Sequence, residues 1–211
     1  YQKNKLVTDL YEPGSTFKLV TVAAALETDI YDLDDVIVTN NGTITVGTQT
    51  ITDSEVFEAL TVQDVIVHSS NVGTIKMAQK LGKISLFEYT RKFGFGIKTG
   101  IELPGEARGI LHKPVDWSVT TLPTMAIGYG VSVTGLQLVS AYCAVANDGL
   151  LMAPQIIKTL IHSDGTVQDK SPTGVRKVIS ERTAALLRQI FTGVVDHGTG
   201  RAAAVPGYNV A

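Results

Sequence analysis

A hydroxyl and an amine stand three positions apart, at Ser15 and Lys18, in the stretch Tyr11-Glu12-Pro13-Gly14-Ser15-Thr16-Phe17-Lys18. Around and beyond them the chain is apolar at nearly every position through residue 27: Phe17, Leu19, Val20, Val22, Ala23, Ala24, Ala25 and Leu26. Such a run reads as a helix over 15–27 that lies in the middle of a core, not on its surface. Pro13-Gly14 marks the turn leading in. On that helix Ser15 and Lys18 share a face, one turn apart. Burial disfavours the charged form of a lysine and draws its pKa down. Ser15 falls in the first turn, where free N–H groups and the helix dipole favour a developing negative charge. A hydroxyl, an amine made neutral by burial and an anion-friendly helix end are what activation of a serine by an adjacent base requires. The plainer alternatives are an N-cap for Ser15 and a snorkelling surface lysine for Lys18. Ser-x-x-Lys alone is a common pattern, and the apolar run that follows gives it weight.

Ser69-Ser70-Asn71 is the second constellation. It sits where one helical pattern breaks and another begins, so its side chains can enter a cleft. Ser69 can relay a proton, and Asn71 offers both a donor and an acceptor. The plain reading is a polar turn between two helices.

The surrounding elements are legible in outline. Residues 36–52 are β-branched and carry Asn41-Gly42, a hairpin signal. Thr61 and Asp64 predict a capping box for a short helix through Val67. A second helix runs to Leu81, with Gly82 just past its end. Ser85 and Glu88 predict a further cap, for a helix ending near Phe93-Gly94. Residues 94–114 read as a Gly/Pro-rich loop. Thr134 and Gln137 predict another helix start, with a stripe of Leu138, Val139, Tyr142, Cys143 and Val145, stopped by Asn147-Asp148-Gly149. Residues 155–161 and 166–170 read as a hairpin about Asp164-Gly165. Ser180 caps a last helix with Leu187, Ile190, Phe191 and Val194 at helical spacing. Residues 202–211 are apolar and β-compatible.

Composition sets bounds. The chain has 211 residues, 44 % of them apolar, enough for one domain with a full core and room for a second small lobe. A formal charge of -2 gives no reason to expect a nucleic acid or an anionic membrane surface as partner. The apolar stretch Leu19 to Leu26 is too short to span a bilayer. No signal peptide opens the chain, and if the natural protein is anchored or exported, the anchor is expected outside these residues. Cys143, the single cysteine, is expected to be a small buried hydrophobe. The four histidines, His68, His112, His162 and His197, lack metal-ligand spacing, and neither metal nor cofactor is expected.

Penicillin-binding proteins carry Ser-x-x-Lys, a Ser-x-Asn element and Lys-Thr-Gly. The segment Tyr11–Lys18 resembles the active-site signature of class B penicillin-binding proteins, the monofunctional transpeptidases of cell-wall synthesis. Phe93-Gly94-Phe95-Gly96, Lys98-Thr99-Gly100 and Leu103-Pro104-Gly105-Glu106 resemble the loop after the Ser-x-Asn region. Tyr129-Gly130 through Val133-Thr134 and Leu136-Gln137-Leu138 resemble a later helix. Gly198-Thr199-Gly200 and Val205-Pro206-Gly207-Tyr208 resemble the approach to the third motif. Lys98-Thr99-Gly100 spells that motif but falls in a loop soon after Asn71. In the family the catalytic triplet belongs to a strand near the domain's end.

The resemblance implies an α+β fold. This chain would be the mostly helical lobe of a β-lactamase/transpeptidase-like fold, with small β-hairpins and most of the central antiparallel sheet missing. Residues 1–211 would be one transpeptidase domain, truncated before the C-terminal Lys-Thr-Gly strand and nearly inactive by itself. It implies Ser15 as acyl-forming nucleophile and Lys18 as its base. Ser69 would shuttle the proton to the leaving nitrogen, and Asn71 would hold the substrate amide and keep Lys18 in place. The Ser15 N–H and an N–H of the missing strand would meet the oxyanion. The implied substrates are peptidoglycan stem peptides ending in D-Ala-D-Ala, and the implied inhibitors are β-lactams. No nucleic acid is expected. The implied setting is the cell membrane, with the catalytic domain on the extracytoplasmic side and an anchor and the cell-wall synthesis machinery outside this chain. Ser70 stands where class A β-lactamases carry Asp, and Glu55 and Glu58 are poor candidates for activating a deacylating water. Both points lean away from the first rival, a β-lactamase or β-lactam sensor. The second rival is a non-catalytic scaffold of the division or elongation machinery.

Overall fold

The computed structural model describes residues 3–211. It is a helical body with short two-stranded sheets at its margins. The chain runs α1 (Lys5–Thr8), a 3₁₀ turn over Gly14–Phe17, α2 (Lys18–Glu27), β1 (Val36–Val38), β2 (Thr43–Val46), β3 (Gln49–Thr52), β4 (Ala59–Thr61), α3 (Val62–Val67), α4 (Asn71–Leu81) and α5 (Lys83–Lys92). After a long loop come α6 (Thr121–Ala126), α7 (Gly135–Ala146), β5 (Leu150–Met152), β6 (Thr159–Ile161), β7 (Val167–Asp169), β8 (Gly174–Lys177) and α8 (Glu181–Asp196). Four antiparallel pairs form among the described residues: β1 with β4, β2 with β3, β5 with β8 and β6 with β7. Among the same residues no helix is long and apolar enough to cross a membrane.

Helix α2 is the axis of the body. Every residue from Lys18 to Leu26 is buried, and α4, α5 and α8 pack around it. Burying each of its larger aliphatic side chains contributes about 1.5–3 kcal/mol. Phe17 extends the core by packing on Phe95, ring centroids 5.4 Å apart. The C-terminal end of α2 is tied to α8 through Glu27, whose carboxylate accepts from the Ser180 N–H at 2.9 Å and hydroxyl at 2.8 Å. Ser180 in turn caps α8 by accepting from the Thr183 N–H.

Several expectations change in detail. The Asn41-Gly42 signal does not close a hairpin. Asn41 takes a left-handed conformation inside a 3₁₀ turn that carries the chain from β1 to β2. The hairpin turn falls instead at Gly47-Thr48, between β2 and β3. Thr61 accepts from the Asp64 N–H, but its own hydroxyl donates to the Asp64 carboxylate, so the cap closes on the side chain rather than on the Thr61 backbone. Helix α5 starts at Lys83, ahead of Ser85, because Gly82 at φ +84° ends α4 and opens α5 without a side-chain cap. Among the described residues the full reciprocal box forms only where Thr134 and Gln137 exchange bonds at the start of α7. Residues 202–211 form no strand, since extended backbone needs a partner ladder and none runs beside them among the described residues.

Cys143 is exposed rather than buried. Helix α7 is apolar nearly all round, so its sequence does not choose a face. The buried positions are Gln137, Ala141, Ala144 and Val145. Val139, Cys143 and Ala146, one turn apart in succession, form the outward stripe.

Candidate active site

The site begins with a tight turn. Pro13 and Gly14 (φ +58°) bend the chain into the 3₁₀ turn that presents Ser15 and Thr16 at the surface while Phe17 goes inward. The Lys18 N–H donates to the Ser15 carbonyl, joining this turn to α2. Three contacts fix the turn from outside. The Thr16 hydroxyl donates to the Pro13 carbonyl at 2.7 Å. The Tyr142 hydroxyl of α7 donates to the Thr16 carbonyl at 3.0 Å. The Gly14 N–H donates to the Gly128 carbonyl at 3.1 Å.

One turn deeper, Lys18 is only 2 % exposed. Its Nζ donates to two atoms of one residue, the Ser69 carbonyl at 2.5 Å and the Ser69 Oγ at 2.9 Å. Burial pulls its pKa from 10.5 down to about 8, against the opposing charge of Asp53. Ser69 can offer both atoms because it lies between α3 and α4 in a left-handed conformation, φ +55°, a state that costs a non-glycine residue about 1–3 kcal/mol. Hydrogen bonds from the Ser69 N–H to the Ile66 carbonyl and from the Ser70 N–H to the Val65 carbonyl hold that bend.

A cleft of about 190 Å³ opens onto Ser15, Lys18 and Ser69, with Tyr142, Phe191 and Thr199 among its walls. Thus three of the four residues chosen from the sequence meet in one place. Asn71 stands apart from that contact. It is the first residue of α4, its Nδ2 donates to the Thr52 carbonyl at 2.9 Å, and Lys18 donates both its bonds to Ser69 instead. Ser70 is the N-cap of α4, accepting from the Gly73 N–H.

Asp53 was not among the sequence candidates. Its carboxylate accepts from the Ser70 hydroxyl at 2.6 Å, the Asn71 N–H at 2.5 Å and the Val72 N–H at 3.0 Å. A carboxylate at a helix start is a recognised sequence cue. Here it comes from 17 residues away, across β4 and α3, and no local pattern reveals it. Tyr142 was read only as part of a core stripe. The triplet Lys98-Thr99-Gly100 lies in a loop folded round Glu106, whose carboxylate accepts from the Thr99 N–H and hydroxyl, each at 2.6 Å, and from the Gly100 N–H at 3.2 Å.

A serine at the head of a buried helix, a lysine one turn below it and a second serine bridging to a neighbouring helix form the arrangement that activation of a serine hydroxyl by an adjacent amine requires. The chain belongs to the penicillin-binding protein transpeptidase domain family, whose model matches residues 1–211. It is 42 % identical to penicillin-binding protein PbpB of Mycolicibacterium smegmatis over 99 % of this chain and 33 % of that protein. It is 41 % identical to stage V sporulation protein D of Bacillus subtilis, over 100 % of this chain and 33 % of the relative. The crystal structure of penicillin-binding protein 3 from Mycobacterium tuberculosis superposes with a TM-score of 0.91 at 36 % identity, covering 99 % of this chain and 48 % of that one. Its complexes with aztreonam and with ampicillin superpose equally well, at 0.91. The chain therefore spans about a third of the length of the curated relatives it matches.

Proposed function

We propose that this chain carries the nucleophile of a peptidoglycan D,D-transpeptidase that forms an acyl-enzyme on Ser15 and is inhibited by β-lactams. The observation that carries the reading is the seat of Lys18: a buried amine, pKa about 8, one turn from Ser15. As a neutral amine its two N–H bonds reach Ser69, and its lone pair is free to take the Ser15 proton. Ser15 Oγ attacks the carbonyl carbon of the penultimate D-Ala as Lys18 takes that proton. The tetrahedral intermediate collapses with cleavage of the C–N bond. The proton passes from Lys18 through the Ser69 hydroxyl to the departing D-Ala nitrogen. An amine of a second stem peptide then attacks the ester, gives its proton back along the same path and releases Ser15. Asn71, at the start of α4, is assigned to the substrate amide. In a β-lactam the same attack opens the ring, and the leaving nitrogen stays tethered.

The third motif belongs on this reading to a strand beyond residue 211, because Lys98-Thr99-Gly100 is closed on Glu106. That strand would supply the second oxyanion donor, and loss of one such donor costs about 10²–10³ in rate. The 211 residues alone would accordingly be nearly inactive. On this reading the intact protein works at the cell membrane with this domain on the extracytoplasmic side, alongside the cell-wall synthesis machinery. Retention of the acyl group, rather than its hydrolysis, is supported by the cleft's lining, which among the described residues includes no carboxylate. Glu55 is paired with His68 at 3.0 Å.

The test is acylation of the full-length protein by a fluorescent β-lactam, alongside Ser15→Ala, with mass spectrometry of the labelled peptide. An adduct on Ser15 that Ser15→Ala abolishes is the expected result. A penicilloyl group on another residue, or fast release of hydrolysed β-lactam, overturns it.

A further inference from the structure

We propose that Asp53 is a positioning residue for Ser15 acylation: its carboxylate clamps the start of α4, so holding Ser69 against the Lys18 amine, and its negative charge acts on that amine. The inference rests on the acyl-enzyme reading above.

The mechanical half follows from the contacts. Free N–H groups crowd the first turn of any helix, and a carboxylate there is held by both hydrogen bonds and the dipole. One carboxylate of Asp53 takes the Asn71 and Val72 N–H groups on Oδ1 and the Ser70 hydroxyl on Oδ2. It anchors the end of β3 to the residue that follows Ser69. Ser69 is thereby pinned between Ile66 on one side and the clamped Ser70 on the other, in a conformation that its backbone would otherwise avoid. Releasing the clamp lets that bend relax, and the Ser69 carbonyl and hydroxyl leave Nζ together.

The electrostatic half follows from charge. Around Lys18 the facing titratable groups are few. Tyr142, from α7, lines the same cleft and is pushed up to about 12 by burial, so it stays neutral. His68 and Glu55, beside the Ser69 bend, face each other at 3.0 Å and are largely solvent-facing on the Glu55 side. Asp53 is the group whose charge raises the Lys18 pKa against its burial. The clamp thus has a cost: it keeps the amine protonated to higher pH than burial alone would. On this proposal the carboxylate serves the geometry of the bend, not the basicity of the amine.

The two halves separate experimentally. In the full-length protein, the second-order acylation rate by a fluorescent β-lactam is measured from pH 6 to 9 for wild type, Asp53→Asn, Ser70→Ala and Ser15→Ala. Asp53→Asn keeps an acceptor for the helix N–H groups but loses the charge. Its acid limb is expected to move to lower pH, where each half-unit is about a threefold gain in the pH 6 to pH 9 rate ratio. Ser70→Ala weakens the clamp and keeps the charge, so its rate should fall at every pH, the plateau above pH 8 included. An Asp53→Asn limb that coincides with wild type overturns the electrostatic half. Wild-type rates in Ser70→Ala overturn the clamp, and this arm decides even if Asp53→Asn fails to fold. Label persisting in Ser15→Ala would instead sink the acyl-enzyme reading itself.

Discussion

Lys18 and Ser69 lie 51 residues apart in the chain, yet the lysine Nζ sits 2.9 Å from the serine Oγ and also bonds that residue's carbonyl. The two bonds are not equivalent. The carbonyl holds the amine whatever residue stands at position 69, provided the left-handed bend survives. The hydroxyl alone can receive a proton from the amine and hand another on.

Ser69→Ala should therefore leave Lys18 seated and lower the acylation rate. General acid–base steps of this kind are worth about 10²–10⁴ in rate. Stopped-flow acylation of the full-length protein measures the drop, and circular dichroism checks that the fold is kept. A change of less than threefold would remove Ser69 from the proton path.

The pH dependence of acylation follows from the same amine. With a pKa of about 8, Lys18 is roughly one-tenth neutral at pH 7, and the neutral fraction rises nearly tenfold per pH unit below that. Acylation should climb from pH 6 to 8 and level off above. A flat profile over this range would show that Lys18 is not the base.

Stability should run the same way. A lysine whose folded pKa is depressed from 10.5 to about 8 holds fewer protons folded than unfolded between those limits. Its burial penalty is complete below pH 8 and is relieved as pH rises through the window, by at most ~3 kcal/mol. Lys18→Met keeps the length and removes the charge. It should raise Tm by several degrees at pH 7 and by much less near pH 10, while abolishing acylation. Equal Tm changes at both pH values would show that the buried ammonium carries no such cost.

The sequence disclosed the parts of the site that are local. Ser15 and Lys18 are one turn apart, and the apolar residues beyond them report burial directly, so the helix that seats Lys18 could be read from the sequence. Ser69 was legible as a break between two helical patterns. What could not be read was which side chain answers which across the fold. Asp53 caps α4 from another element, and Tyr142 holds the Thr16 carbonyl from a helix over a hundred positions later. Neither leaves a periodic trace. Asn41-Gly42 failed for a related reason. A turn dipeptide reports left-handed backbone, not which strands pair on either side, and β1 finds its partner in β4. Cys143 failed because a helix apolar on two stripes carries no record of which one faces the core.

Tyr142→Phe isolates one support of the nucleophile turn. The ring and its contact with Phe191, centroids 5.5 Å apart, remain, and only the bond to the Thr16 carbonyl goes. The loss in stability should be about 0.5–1.5 kcal/mol, the usual net worth of such a bond. Acylation should slow several-fold through a looser Ser15 without a shift in its pH midpoint. A moved midpoint would mean that the Tyr142 hydroxyl takes part in proton transfer rather than in holding the turn.

Gly128 tests the turn from the opposite side. Its backbone is left-handed, φ +86°, and a Cβ there would lie 2.0 Å from the Gly14 carbonyl oxygen and 2.6 Å from the carbonyl carbon. Those are backbone atoms of the residue immediately before Ser15, so no side-chain rotation relieves the clash. Gly14 and Gly128 must separate, and the hydrogen bond between them must lengthen or break. Gly128→Ala should thus do two things together: destabilise the fold by ~1–3 kcal/mol from backbone strain alone, and displace Ser15 from Lys18. Gly14→Ala is the instructive partner. Its φ of +58° strains a side chain, yet nothing lies within 4 Å of the added Cβ. It should cost stability while leaving acylation of the folded fraction nearer to wild type. If both variants lose stability and acylation in equal proportion, the close approach at Gly128 has no particular hold on the nucleophile.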